Sequence, residues 1–262
     1  MVKLFLSDID GTLLRDNSGI HPDVIEAIRR FIKEGGKFGL CTGRALPALL
    51  PIIESLPINA PCIACGGSIV YDPKLEKIIY ARPLDESVFD FINAVLDKYP
   101  DVSITACLRA EIVNIRVNNR LLNKGIPEDR GAPVVSLDKV KEPMKLLLSC
   151  DDPETLAEIG RKYVNPSLFS FLASGVHFYE LMPNGADKGS AVKEAAKAAA
   201  DGEGCRLFTA GDASSDLAMK SASELFFAPE NALPKVLKNA DVIVPTPENA
   251  GIAKALEKVM AI

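Results

Sequence analysis

Val2-Lys3-Leu4-Phe5-Leu6-Ser7-Asp8-Ile9-Asp10-Gly11-Thr12-Leu13-Leu14 opens the chain with a short apolar run that ends in two carboxylates and a glycine. Val2 to Leu6 reads as a buried strand. The acidic residues then fall where open α/β sheets bind ligands, at the carboxyl ends of the strands. Two carboxylates so close repel each other, and a divalent cation relieves that repulsion. Magnesium suits hard oxygen ligands with retained waters. Gly11 permits a sharp turn, so that neighbouring N–H groups can converge on an anion. Taken alone, Asp8-Ile9-Asp10-Gly11 reads equally well as an ordinary turn at a strand end.

Working outward, the same alternation of strand and helix continues. His21-Pro22-Asp23 opens a helix that carries Val24, Ile25, Ile28, Phe31 and Ile32 at helical spacing and stops at Gly35-Gly36. Lys37 to Cys41 is the next strand, Leu46 to Leu56 a helix in spite of Pro51, and Pro61 to Ala64 and Ser68 to Tyr71 two further strands. This order predicts strands lying parallel with helices on both faces. The solid pattern returns after Met182-Pro183-Asn184-Gly185. Helices are expected over 189–200, 214–221, 232–239 and 249–260, and strands over 206–210, 225–227 and 241–244.

Between these halves the texture changes. Helices over 87–98 and 153–163 accompany strands that alternate, such as Ile112 to Val117, Phe169 to Leu172 and His177 to Leu181. Alternation predicts an antiparallel sheet with one face uncovered. An inserted α+β domain is therefore expected at 83–182, within a core formed by 1–82 and 183–262.

Composition removes several classes of function. The 262 residues are 48% hydrophobic and 25% charged, enough for a packed core and too apolar for a disordered chain. With 30 Lys and Arg against 35 Asp and Glu, the net charge of −5 argues against a nucleic-acid partner. The longest uncharged stretch, Ser55 to Tyr71, contains two prolines and is shorter than the ~20 apolar residues of a spanning helix, so no membrane partner is expected. The first apolar run is too short for a signal-peptide core, and six scattered cysteines fit a reducing compartment, so the expected location is cytoplasmic. Cys62-Ile63-Ala64-Cys65 has the spacing of a redox or zinc pair, but two small buried residues in a strand is the favoured reading.

Three further motifs fall at strand ends or helix starts. Thr42-Gly43-Arg44 offers free N–H groups and a hydroxyl to a phosphate, although alone it reads more readily as a helix cap. Asp187-Lys188-Gly189 puts a cation at a helix N-terminus, where an anion is needed to offset it. Gly211-Asp212-Ala213-Ser214-Ser215-Asp216 adds two acidic groups, which otherwise read as a solvated helix cap.

Taken in series, the four motifs resemble those of the haloacid dehalogenase superfamily of phosphohydrolases. The inserted cap, Thr42-Gly43-Arg44 and Glu230-Asn231-Ala232 resemble its Cof-type subgroup, which acts on sugar phosphates and related metabolites. The resemblance covers the whole chain. It implies a Rossmann-like three-layer α/β/α core with a mostly parallel sheet, plus the inserted α+β cap. It also implies a Mg2+-dependent phosphatase in which Asp8 is the nucleophile and Asp10 the general acid and base. Asp8, the backbone carbonyl of Asp10 and Asp212 would hold the metal. Ile9, Thr42, Gly43, Lys188 and Ser215 would hold the phosphate, and Asp216 would support metal waters or orient Lys188. Ser215 stands where the family usually has Asn, as does Cys65. The cap would choose the leaving group, with Arg116 the specificity candidate on the polar face Asn114, Arg116, Asn118, ahead of His177 and Glu180. Rival readings are a non-catalytic phosphometabolite-binding protein, a phosphomutase, and a redox or zinc module built on Cys62 and Cys65.

Overall fold

The computed structural model describes residues 1–14, 19–118, 131–200, 202 and 204–262. The chain divides into two compact units: Met1–Arg44, Leu49–Tyr80 and Asp187–Ile262 form the first, and Ala45–Ala48 and Ala81–Ala186 the second. Among the described residues no helix is long and apolar enough to cross a membrane.

The first unit is built on β1 (Val2–Ser7), whose side chains alternate between two covered faces. Leu4 and Leu6 point one way and Phe5 the other, and all three are fully buried. β2 (Lys37–Leu40), β11 (Cys205–Ala210), β12 (Leu225–Pro229) and β13 (Val242–Val244) complete a five-stranded sheet in the order β13-β12-β11-β1-β2. Every pair in it is parallel. Leu4 and Leu6 join Leu207, Phe226 and Ala228 against Ala191, Val192, Ala195 and Ala199 of α5 (Lys188–Ala200). On the opposite face Phe5 stacks on Phe38 and tilts against Phe227. Helix α1 (Pro22–Lys33) begins with Pro22 in its first turn, after the ring of His21 accepts from the Asp23 amide, and packs against α8 (Gly251–Met260).

Two strands expected in the parallel sheet lie elsewhere. β3 (Cys62–Ala64) pairs antiparallel with β4 (Ile69–Asp72), and with β5 (Lys77–Ala81) they form a separate three-stranded sheet. The turn between β3 and β4 is too short for a parallel crossover. One bridge, Cys41 with Ile63, joins this sheet to the end of β2. The expected helix over 214–221 is a single 3-10 turn, Ser214–Asp216, followed by α6 (Leu217–Lys220).

The second unit is an antiparallel sheet in the order β7-β6-β8-β10-β9, formed by β6 (Ser103–Cys107), β7 (Ile112–Arg116), β8 (Lys145–Ser149), β9 (Phe169–Gly175) and β10 (Phe178–Pro183). One face packs Ile104, Ala106, Leu146, Leu148 and Leu181 against α3 (Val88–Lys98) and α4 (Pro153–Tyr163). The other face carries Thr105, Asn114 and Lys145 beside Leu147, and all four are buried. The Asn114 side chain accepts from the Thr105 hydroxyl and donates to Ala132 O. Lys145 pairs with Glu180 at 2.8 Å. The expectation of an uncovered face is therefore corrected for these positions.

Candidate active site

The carboxyl end of β1 supplies the first carboxylate. The Asp8 amide donates to Ala210 O at 2.9 Å, so the parallel ladder with β11 continues one residue beyond the strand. The chain then turns: Thr12, Leu13 and Leu14 all donate to Ile9 O, and Gly11 takes φ +84. A Cβ at Gly11 would lie 2.4 Å from Asp212 Oδ2, so glycine is needed for both the backbone and the space. Thr12 Oγ1 donates to Asp212 Oδ1 at 3.0 Å, and Asn231 Nδ2 donates to Gly11 O at 2.8 Å. These two bonds fasten the turn after β1 to the turns after β11 and β12.

At the centre lies Lys188, the first residue of α5. Its Nζ donates to Asp8 Oδ1 at 2.6 Å and to Asp216 Oδ1 at 2.5 Å. Asp8 and Lys188 are each 5% exposed and Asp216 not at all. Asp216 Oδ2 accepts the amides of Asp212 and Ala213, so that carboxylate is fully committed. Burial pushes the Asp8 carboxyl up to about 8, against the pull of the Lys188 ammonium. Asp212 is also raised, by burial and then by the charge of Asp216. Burial opposes the charge on Lys188, yet Asp216 and Asp8 hold its pKa well above the ordinary value.

One buried cation among three carboxylates leaves a surplus of negative charge. An oxygen from each of Asp8, Asp212 and Asp216 lies within 4.8 Å of the others. With Asp216 committed, Asp8 and Asp212 are the pair whose second oxygens can face another partner. All-oxygen donors with unbalanced negative charge fit a hard divalent cation.

The second motif forms a pedestal at the end of β2. Thr42 N donates to Ile63 O, and Thr42 Oγ1 accepts from Arg44 N at 3.1 Å. Gly43 faces open space. Cys65 and Gly66, both at positive φ, donate their amides to Arg44 O and Thr42 O. Ile9 is buried, and Ser215 lies exposed on its 3-10 turn. Cys62 Sγ accepts from Leu40 N inside the strands. Asp10 turns away from Lys188 and is held by Arg44 instead.

The structure thus joins Asp8, Lys188, Asp212 and Asp216 directly. Sequence reasoning gave no site role to Asn231 or to the Thr12 hydroxyl, and their place within recognised motifs was the available signal.

Arg116 is engaged within its own unit. Its guanidinium donates to the carbonyls of Val102 at 2.7 Å, Leu96 at 2.9 Å, Val95 at 3.3 Å and Tyr99, closing the C-terminal end of α3. A β-bulge sets Arg116 opposite Ile104, on the face that carries α3 and α4, while Asn114 lies opposite Thr105 on the other; Asn118 donates to Asp101 O and His177 sits against Cys150 O. Arg116→Ala should lower stability by about 1–3 kcal/mol, since four charge-assisted bonds to backbone carbonyls around the end of α3 are lost. Calorimetry would show the drop in Tm, and relative rates among substrates should stay as in the wild type.

A five-stranded parallel α/β sheet with its acidic residues at the strand ends places the chain among α/β proteins that bind ligands at the carboxyl ends of their strands. Residues 5–256 match the haloacid dehalogenase-like hydrolases, and the chain belongs to that family. The uracil-derivative phosphatase YwtE of Bacillus subtilis, named for 5-amino-6-(5-phospho-D-ribitylamino)uracil, is 22% identical over 99% of both chains. A haloacid dehalogenase-like hydrolase from Bacteroides thetaiotaomicron superposes with a TM-score of 0.85 at 23% identity, covering 99% of this chain and 100% of its own. The subclass IIB sugar phosphatase BT4131 gives 0.81 at 21% identity over 100% of both. These two superpositions show a shared fold. The enzyme class expected from the sequence, a phosphatase, agrees with the family membership.

Proposed function

We propose that the protein is a Mg2+-dependent phosphomonoesterase acting on a small phosphorylated metabolite, such as a sugar phosphate. The observation that carries this reading is the buried cluster of Asp8, Lys188 and Asp216, with Asp212 beside it. The bond from Lys188 fixes the rotation of the Asp8 carboxylate, one of whose oxygens attacks phosphorus to form an aspartyl-phosphate. Asp10 protonates the departing oxygen, then takes a proton from the water that hydrolyses the intermediate. Lys188, the Thr42 hydroxyl and the amides of Ile9 and Gly43 hold the phosphoryl oxygens. Asp216 fixes Lys188.

Asp8, the backbone carbonyl of Asp10 and Asp212 would hold the metal. When bound, it neutralises charge between carboxylate and phosphoryl group. Ser215, in place of a longer amide, would reach the substrate only through water. The second unit, residues 83–182 in the sequence reading, would select the leaving group. The free cysteines fit a reducing cytoplasm.

The test is phosphate release from a panel of sugar and alkyl monoesters in Mg2+, before and after chelation. Release that stops with chelator and returns with Mg2+ is expected. Chelator-insensitive release, or none from any ester, would overturn the reading, and an isomerised sugar phosphate would favour a mutase.

A further inference from the structure

Arg44 takes no part in the phosphoryl grip just described, yet it makes the most specific contact of any side chain at the site. Its Nε donates to Asp10 Oδ2 at 2.8 Å and its Nη2 to Asp10 Oδ1 at 2.6 Å. Each carboxylate oxygen meets a different nitrogen of one planar group, which fixes both the direction and the rotation of the carboxylate. The Asp10 side chain is 54% exposed and that of Arg44 24%. Without the fork, Asp10 would be a surface carboxylate free to sample several rotamers.

The fork itself stands on a fixed base. Arg44 N donates to the Thr42 hydroxyl, and Arg44 O accepts from Cys65 N at 2.7 Å. Thr42 is tied on both sides in turn, to Ile63 O and to Gly66 N. The guanidinium is therefore carried by backbone secured to the turn after β3.

We infer that Arg44 is the positioning residue of Asp10: it holds the carboxylate by both oxygens at rest and releases one when the substrate's leaving oxygen arrives. The inference rests on the proposed role of Asp10. In the step concerned, the bond from phosphorus to the leaving oxygen breaks as the bond from Asp8 to phosphorus forms. Asp10 takes a proton from solvent on the oxygen that the fork releases and passes it to the leaving oxygen. Gripped at both oxygens the group is a carboxylate without a proton, so one N–H bond opens to let that oxygen be protonated while the other keeps the carboxyl in reach. A misplacement of about 1 Å at such a group costs on the order of 10²-fold in rate.

The test compares esters that need a proton on the leaving oxygen with one that does not. For Arg44→Met, kcat on alkyl and sugar phosphates should fall by about 10²-fold with KM changed by less than about threefold. The phosphoryl-enzyme burst with p-nitrophenyl phosphate should fall by less than about fivefold, because nitrophenolate leaves unprotonated. Arg44→Lys, which keeps the charge and loses the fork, should stay well below the wild type and guards against misfolding of the Met variant. In an Asp10→Asn background, adding Arg44→Met should change the rate by less than about twofold. Equal losses on both ester classes, or additive losses in the double variant, would overturn the inference. If Asp10→Asn alone leaves alkyl phosphates unaffected, the role of Asp10 fails. If Asp10→Asn is slow and Arg44→Met is not, only the role of Arg44 fails.

Discussion

Asp8→Asn is expected to abolish turnover, lowering kcat/KM by about 10⁴-fold or more, equivalent to about 5.5 kcal/mol of lost transition-state stabilisation. An amide oxygen is a poor nucleophile and leaves no aspartyl-phosphate to hydrolyse. Acid-quenched enzyme incubated with labelled substrate should carry label on the wild type and none on the variant. Folding should survive: burial pushes the Asp8 carboxyl up to about 8, so the site already favours an uncharged group there and accommodates a neutral isostere. Turnover persisting in a fully folded Asp8→Asn protein would refute the assignment of the nucleophile.

The second large effect is expected from Lys188→Met, and it falls on stability as well as rate. Lys188 is the only cation bonded to the buried carboxylates of Asp8 and Asp216 among the described residues. Its removal leaves like charges facing each other in a site that excludes water, at a cost of about 3–5 kcal/mol. That is a large part of a typical total of about 5–15 kcal/mol. The sign with pH follows from the raised Asp8 carboxyl. A carboxyl whose pKa is higher folded than unfolded favours the folded state at low pH and loses that advantage as pH rises through the folded value. The deficit should therefore shrink on acidification. Urea unfolding at pH 5 and pH 8 without metal measures both effects, and a variant as stable as the wild type at pH 8 would show that Lys188 does not balance this cluster.

Much of the site was legible because its chemistry is local. Asp8, Lys188 and Asp212 each sit at a strand end or helix start that the apolar pattern of the chain marks by itself, and a parallel sheet brings such ends together. The strands of the second unit were harder. β8, Lys145 to Ser149, is buried on both faces and so lacks the alternation that reveals β7. β3 and β4 look like members of the parallel sheet because burial alone does not record direction; only the short turn between them does. Arg116 was hard to read for a different reason. A polar residue on a strand face shows that it needs a partner, but the sequence does not say whether that partner is a ligand or the end of a helix such as α3.

The pairing of β1 with β11 joins Val2 to Cys205 and Ser7 to Ala210. While the ribosome is still delivering the second unit, the strand that ends in Asp8 has β2 on one side and a bare edge on the other. The nascent chain must keep that edge from pairing with a stranger until some two hundred further residues have emerged. Closure over such a span is slow, so catalytic competence waits for β11 to emerge, and products truncated before it should be inactive in a phosphate-release assay and prone to aggregate.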